Sequence, residues 1–266
     1  MSKFENDLQI VRAILSKPAE EITAADRALL LSIYQAPYHD TGKIEGASSC
    51  DSSCHGCAFC GLMREAAKGN PLHICGYCYD ASQESRWANV KNRHGLNMEI
   101  MGAVDFSVEE LARLPVTPII RENSSGDISG DIMARNYVRI AYAHPWARVT
   151  LWAKNVAPVE RAFGLLGKPE NMLFIQSSIL IGIPARRSPW ADYVFTVYPD
   201  EETLQEALFS GAMECNGQKC KDCGWRCYKG LWPTGANIAE LLRVPEKRRV
   251  EIVKAYRARM EKGGAA

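Results

Sequence analysis

Ten cysteines fall in two dense groups and nowhere else in the 266 residues: Cys50, Cys54, Cys57, Cys60, Cys75 and Cys78, then Cys215, Cys220, Cys223 and Cys227. Cysteines used as small core residues would scatter along a chain. Two groups near opposite ends read instead as two sets of thiolate ligands for metal. The fold must therefore leave two thiol-rich loops free to close around an ion or a cluster, while the rest of the chain supplies the core. With 47% hydrophobic residues there is material for a sizeable one. The expectation is a metalloprotein of the iron–sulfur kind.

Charge excludes some roles. The 32 basic and 31 acidic residues are spread along the chain, so no basic field exists to hold a nucleic-acid backbone, and nucleic acid is not expected as a partner. The longest apolar stretch, residues 172–184, is interrupted by Gln176, Ser177 and Ser178. It falls short of the roughly 20 residues a membrane span needs, so no membrane partner is expected. The opening MSKFENDLQI carries charges where a signal peptide is apolar, which points to a reducing cytoplasm where thiols stay free for metal.

Periodicity organises the chain as a single α/β domain over 1–266. Residues 1–36 read as two helices, with Leu8, Val11 and Leu15 on one stripe, and Ile22, Ala25, Leu29 and Ile33 on another after a cap at Thr23. Residues 39–80 form the first cysteine region, where 39–60 has little periodicity and 58–68 and 82–93 suit short helices. In the core, 115–210, apolar runs at 116–121, 149–153, 172–177 and 193–197 read as strands. They alternate with helical stretches at 129–144, 156–166 and 201–210, which implies a mostly parallel sheet or partial barrel. The second cysteine region spans 211–230. Within 236–262 two C-terminal helices are expected, at 237–243 and 245–260, the latter with Pro245 in its first turn and Val250, Val253 and Tyr256 as its apolar stripe.

The second cysteine group has the form C-x4-C-x2-C-x3-C, enough thiolates for either a tetrahedral zinc site or a four-cysteine cluster. Trp225 and Tyr228 beside it would exclude solvent, as a cluster requires. In the first group, Cys75-Gly-Tyr-Cys78 is a chelating pair that must be completed upstream, with Cys54 and Cys60 the preferred partners. Cys50 and Cys57 then remain as extra or redox-active ligands. The spacing Cys50-x3-Cys54-x2-Cys57 also matches the triplet of radical S-adenosylmethionine enzymes, although Gly56 stands where an aromatic usually precedes the last cysteine. His55 and His73 are close enough to compete as ligands but read as polar loop residues.

The order of short motifs along the chain resembles the often phage-encoded, cysteine-rich gene product 88 family. The residues carrying the resemblance are Cys75-Gly-Tyr-Cys78-Tyr79, the stretch 121–127 with its Ser-Gly-Asp, Leu151-Trp-Ala-Lys-Asn155, Pro169-Glu-Asn171, Ser177-Ser178, the strand 194–198, and Cys220-x2-Cys223-x3-Cys227-Tyr228. The resemblance implies metal-cluster binding with Cys54, Cys60, Cys75 and Cys78 as the first set. It carries no reaction. Cys50 and Cys57 depart from the family pattern.

Beyond the metal, residues 121–131 place Glu122, Asp127 and Asp131 in a Gly- and Ser-rich turn after a strand, where α/β folds host ligands. Asp127 and Lys154 are the catalytic candidates, and Asp127 and Ser177 the cofactor-binding ones, against the plainer account of a solvated turn with a helix cap. Lys154 and Asn155 end one strand and Ser177 and Ser178 the next, so a parallel sheet would bring them to one rim. Arg186 and Arg187 could hold an anion, or simply form a solvated loop. No phosphate loop, Gly-x-Gly-x2-Gly or His-Glu-x2-His pattern is present. The preferred reading is an iron–sulfur protein with two [4Fe-4S]-type clusters, serving electron transfer or redox catalysis with an unidentified small molecule or electron donor. The rivals are a radical enzyme using S-adenosylmethionine through Cys50, Cys54 and Cys57, and a zinc-stabilised interaction module.

Overall fold

The computed structural model describes residues 2–54, 58–215, 217 and 219–262. Seven strands form one sheet in the order β1-β2-β3-β4-β5-β7-β6, and every neighbouring pair is parallel. The strands are β1 (Ser48–Cys50), β2 (Ile119–Glu122), β3 (Arg148–Ala153), β4 (Met172–Ser177), β5 (Tyr193–Tyr198), β6 (Met213–Glu214) and β7 (Asn237–Leu241). The sheet stays open at β1 and β6 and does not close into a barrel. Five strands in sequential order are what a chain produces when successive crossovers run the same way, which leaves its crossover helices on one face.

That face is the main core. Helices α1 (Lys3–Leu15), α2 (Ala24–Ile33), α5 (Ala88–Ala103), α7 (Asp131–Ala143) and α8 (Val156–Leu166) bury Val11, Leu30, Leu96, Tyr137 and Phe163 against Ile120, Val149, Leu151 and Phe174 of the strands. The alternate residues of the same strands, Trp152, Leu173, Ile175, Tyr193 and Phe195, pack on the other face with Cys220, Cys227, Tyr228 and Trp232. The second cysteine loop thus covers the face the helices leave open. The remaining helices are α3 (Ala58–Ala67), α4 (Tyr79–Arg86), α6 (Val108–Leu111), α9 (Glu201–Phe209) and α10 (Glu246–Glu261).

The β3, β4, β5, α7, α8 and α9 segments stand within two residues of their expected bounds, and Thr23 caps α2 in a capping box with Asp26. Four expectations are corrected. Residues 237–243 are not a helix: Asn237–Leu241 is strand β7, because it slots between β5 and β6 and hydrogen-bonds along both edges, which overrides the helical preference of its Ala-Glu-Leu. The 82–93 helix is two helices broken at Trp87. In α10, Val250 is exposed and Ile252 and Tyr256 carry the burial; Pro245 is its cap rather than part of its first turn. Leu29 in α2 is exposed, and Leu30 and Leu31 are buried in its place.

A thiol-lined cleft at the rim of the sheet

The first thiol group is assembled from three separate pieces: the loop after β1, helix α3, and the turn leading into α4. The Cys54 and Cys78 sulfurs are 3.8 Å apart, and with an Asp80 carboxylate oxygen they form a set of donor atoms within 4.8 Å of one another. Hydrogen bonding among the three thiols, to Cys60 first and then Cys78, raises Cys54, and the same contacts lower Cys60 and Cys78. Cys78 is lowered to about 5, with the N–H groups of Ala81 and Asp80 at the start of α4 and the Lys154 ammonium adding to the Cys54 bond against burial. Cys75 is raised to about 11 by burial, and the electrostatic neighbours it shares with Cys60 are Lys154, Cys78 and Asp127. Burial beside the Cys78 sulfur lifts Asp80 to about 7.

Buried carboxylates fix this geometry. Glu84 accepts from the Ser53 hydroxyl at 2.9 Å and the Cys54 N–H at 3.1 Å, with His94 Nδ1 3.2 Å from the same carboxylate. Asp51 accepts from Ser49 and Ser124 hydroxyls, both at 2.6 Å, and from the Ser125 N–H at 3.0 Å. His73 is spent on the backbone, its Nδ1 accepting the Cys75 N–H at 3.3 Å. Glu84 and Asp51 escaped sequence reasoning, because nothing in Gln-Glu-Ser or Cys-Asp-Ser marks a carboxylate that folding buries.

The second group lies on one loop. The Cys215 N–H bonds Ala239 of β7, and the Cys220 N–H bonds the Lys43 carbonyl at 2.7 Å. Lys43 in turn pairs with Glu240 at 2.8 Å. Trp225, at φ 60, stands edge-on to Tyr228 with ring centroids 5.0 Å apart. Burial pushes Cys220 up to about 11 and Cys227 to about 12, and Cys215 moves the same way.

A cavity of about 150 Å³ opens at the C-terminal ends of the strands, lined by Cys215, Cys220 and Cys227 of the second group and, on the side of the first, by Asp80, whose carboxylate lies with the Cys54 and Cys78 sulfurs. Its floor comes from the face opposite the helices: Arg121 of β2, Trp152 of β3, Lys154 just beyond β3, Ser177 of β4 and Phe195 of β5. The Arg121 guanidinium lies 4.5 Å over the Trp152 ring and donates to the Tyr228 hydroxyl at 3.4 Å. Lys154 and Ser177 therefore meet at one rim. The other candidates do not join them. Asp127 is buried, and its carboxylate receives the backbone N–H groups of Ile128 at 2.8 Å, Lys154 at 2.9 Å and Asn155 at 3.3 Å, clasping the loop after β2 to the end of β3. Asn155 donates to the Ile128 carbonyl and the Ser178 hydroxyl accepts the Ala185 N–H at 2.8 Å, both structural duties. Asp131 pairs with Arg161 at the surface, and Arg186 and Arg187 are exposed outside the cleft.

Cys50 is placed apart from the other thiols. It registers with Glu122 across β1 and β2, and both point into the helical core, where Cys50 meets Tyr34 and its carbonyl accepts from the Tyr137 hydroxyl at 3.1 Å. The remaining candidates of this loop, Cys57 and His55, lie outside the described residues. Arg121 and Trp152, which sequence reasoning did not assign to the site, follow from the period of two: they are the strand-end residues on the face opposite Ile120, Glu122 and Leu151.

Fold and cleft together define an open-sheet α/β protein, rich in cysteine, with thiols gathered at the C-terminal rim of its strands. The chain belongs to the Gene product 88 family, whose model matches residues 9–237. No curated protein and no solved structure matches it. Among the described residues no helix is long and apolar enough to cross a membrane.

Proposed function

We propose that this protein holds metal in two four-thiol sets, Cys54, Cys60, Cys75 and Cys78, and Cys215, Cys220, Cys223 and Cys227. In this reading the metal is present as iron–sulfur clusters that serve electron transfer or redox chemistry on a small molecule in the cleft beside them. One observation carries it: the cavity lined by Cys215, Cys220 and Cys227 is also lined by Asp80, whose carboxylate shares a set of donor atoms with the Cys54 and Cys78 sulfurs. The donor chemistry fits, since two sulfurs at 3.8 Å are too far apart for a disulfide yet close enough to share a metal centre. The reading uses Cys78 rather than Cys50, because Cys50 faces the helices and β1 would have to turn over to present it. A cluster, when bound, supplies electrons one at a time at a potential set by burial and hydrogen bonding. The chain's own part is to orient thiolates through Glu84, Asp51 and His73 and to exclude water with Trp225 and Tyr228.

A single zinc ion in the first set is the second reading, and the same 3.8 Å distance favours it. Two thiolates on a tetrahedral ion with bonds of about 2.3 Å stand about 3.8 Å apart. Absorption spectra with iron, sulfide and zinc content, on protein purified without oxygen, decide between them. Two clusters give a broad brown absorbance and about eight irons, halved by Cys78→Ala or Cys223→Ala. Colourless protein with stoichiometric zinc overturns the redox reading.

A further inference from the structure

Two cations stand in the cleft with most of their hydrogen-bonding capacity unused. Guanidinium carries five N–H donors and ammonium three. Among the described residues Arg121 makes one side-chain hydrogen bond, the long one to Tyr228, and its Nε is buried with no partner. Among the described residues Lys154 Nζ has no hydrogen bond and no ion pair within 4 Å, and the charges acting on it are those of Asp127, Cys75, Cys78 and Asp80. Burying donors without acceptors is costly, and a fold tolerates it where a ligand supplies the acceptors. Of the carboxylates nearby, Asp127 is committed to three backbone N–H groups, Asp51 to two serines and a backbone N–H, and Glu240 to Lys43, while Asp80, which also lines the cavity, lies with the Cys54 and Cys78 sulfurs.

The rest of the cavity narrows the ligand. Beside the cations stand the Ser177 hydroxyl and an apolar wall, where the Trp152 and Phe195 rings meet edge to face at 5.3 Å. A volume of about 150 Å³ admits a molecule of only a few heavy atoms. Charge on one side and rings on the other suit an anionic head with a short apolar body.

We propose that the cleft binds a small organic carboxylate, its carboxylate held between Arg121 and Lys154 and its carbon chain against Trp152 and Phe195. This deepens the reading above by giving the small molecule its chemical class, and it rests on that reading only for what happens after binding. The alternative use of the two cations is to balance the negative charge of the thiolate centres.

Calorimetric titration of the protein as purified without oxygen, with metal content measured on the same sample, tests this. The probes are propionate, propanol and inorganic phosphate. Propionate binds saturably and propanol does not. Lys154→Met and Arg121→Gln each weaken propionate by about tenfold or more with metal content unchanged. The proposal is overturned if metal-replete protein ignores propionate, if propanol binds as well, if phosphate binds and propionate does not, or if neither substitution weakens binding. It is also overturned if both substitutions lose metal in step with binding, since the cations then serve the thiolates. Propionate binding by protein without metal would sink the redox reading and leave this one standing.

Discussion

The second thiol group lines the cleft and the first meets it through Asp80, and the two are built in different ways. The first draws on the loop after β1, α3 and the turn before α4, and buried carboxylates pin those pieces together. The second is one loop of 13 residues from Cys215 to Cys227, tied down by backbone bonds to Ala239 and Lys43. Their electrostatics differ as well. Hydrogen bonding to Cys54 lowers Cys60 and Cys78, with backbone N–H groups at the start of α4 adding to it at Cys78, whereas burial, ahead of the neighbouring charges, raises Cys215, Cys220 and Cys227. The first group has two thiols raised, Cys54 and Cys75, and two lowered, Cys60 and Cys78, whereas the second has three raised, so the second sheds more protons as metal binds.

The largest expected effect follows from those protons. A thiol raised to about 12 gives up one proton to each metal bond, so apparent affinity falls about tenfold per pH unit for every such thiol. Cys78, lowered to about 5, is already thiolate at neutral pH and costs nothing until the pH approaches that value. On acidification from pH 8 to 6 the second group should therefore empty before the first. Zinc-reconstituted protein dialysed against a chelator at each pH, beside Cys78→Ala and Cys223→Ala, reads the two separately. Loss from the first group before the second would break the comparison.

Glycine substitutions sharpen it from the side of the backbone. Gly126 sits at φ +81, where an added Cβ would lie 2.2 Å from the Ser52 carbonyl oxygen in the loop that carries Cys54. Overpacking of about 1–3 kcal/mol and a left-handed residue of about 1–2 kcal/mol make Gly126→Ala cost roughly 2–5 kcal/mol. Metal should leave the first group only. Gly224, at φ +73 in the second loop, has nothing within 4 Å of its Cβ position, so Gly224→Ala costs only the conformational part, about 1 kcal/mol. Urea midpoints and metal content measure both, and equal losses would mean that the first loop is no better packed than the second.

How far the sequence reached depends on the kind of signal. Strand and helix alternation from β3 through α9 could be read because each segment carries its own period, and Val156–Leu166 and Met172–Ser177 stand at the predicted bounds. Strand β1 is Ser-Ser-Cys and β7 is Asn-Ile-Ala-Glu-Leu. Neither has a local pattern, and both exist because a neighbouring strand pairs with them. Spacing drew attention to the thiols, and Lys154 and Ser177 were placed at one rim by topology. The direction of Asp127 was open in the sequence for a physical reason: a carboxylate in a Gly- and Ser-rich turn can face a ligand or nearby backbone N–H groups, and in the fold it accepts from those of Ile128, Lys154 and Asn155. Arg121 was hidden because its partner, the Trp152 ring, lies on another strand.

The smallest effect at the thiols themselves is expected one residue from Arg121, on the opposite face of β2. Glu122 is fully buried in the helical core, and both its carboxylate oxygens lack a hydrogen-bond partner among the described residues. Burial raises its pKa well above the usual range, and it faces Cys50 and Tyr137, neither of which offers a positive charge. The sign follows from linkage. The folded protein keeps the proton that the unfolded chain releases near 4.5, so the group's contribution is intact below that pH. It is lost at about 1.4 kcal/mol per pH unit as pH rises toward the folded value. Glu122→Gln removes the titration while keeping the shape. Its stability should match the native protein near pH 4.5 and exceed it by a growing margin toward pH 8, with metal content equal in both at each pH. Urea unfolding across that range checks it. Parallel pH curves would mean that Glu122 is charged in the fold and has a partner, and a change in metal content would mean that the helical face of β2 also supports the cleft.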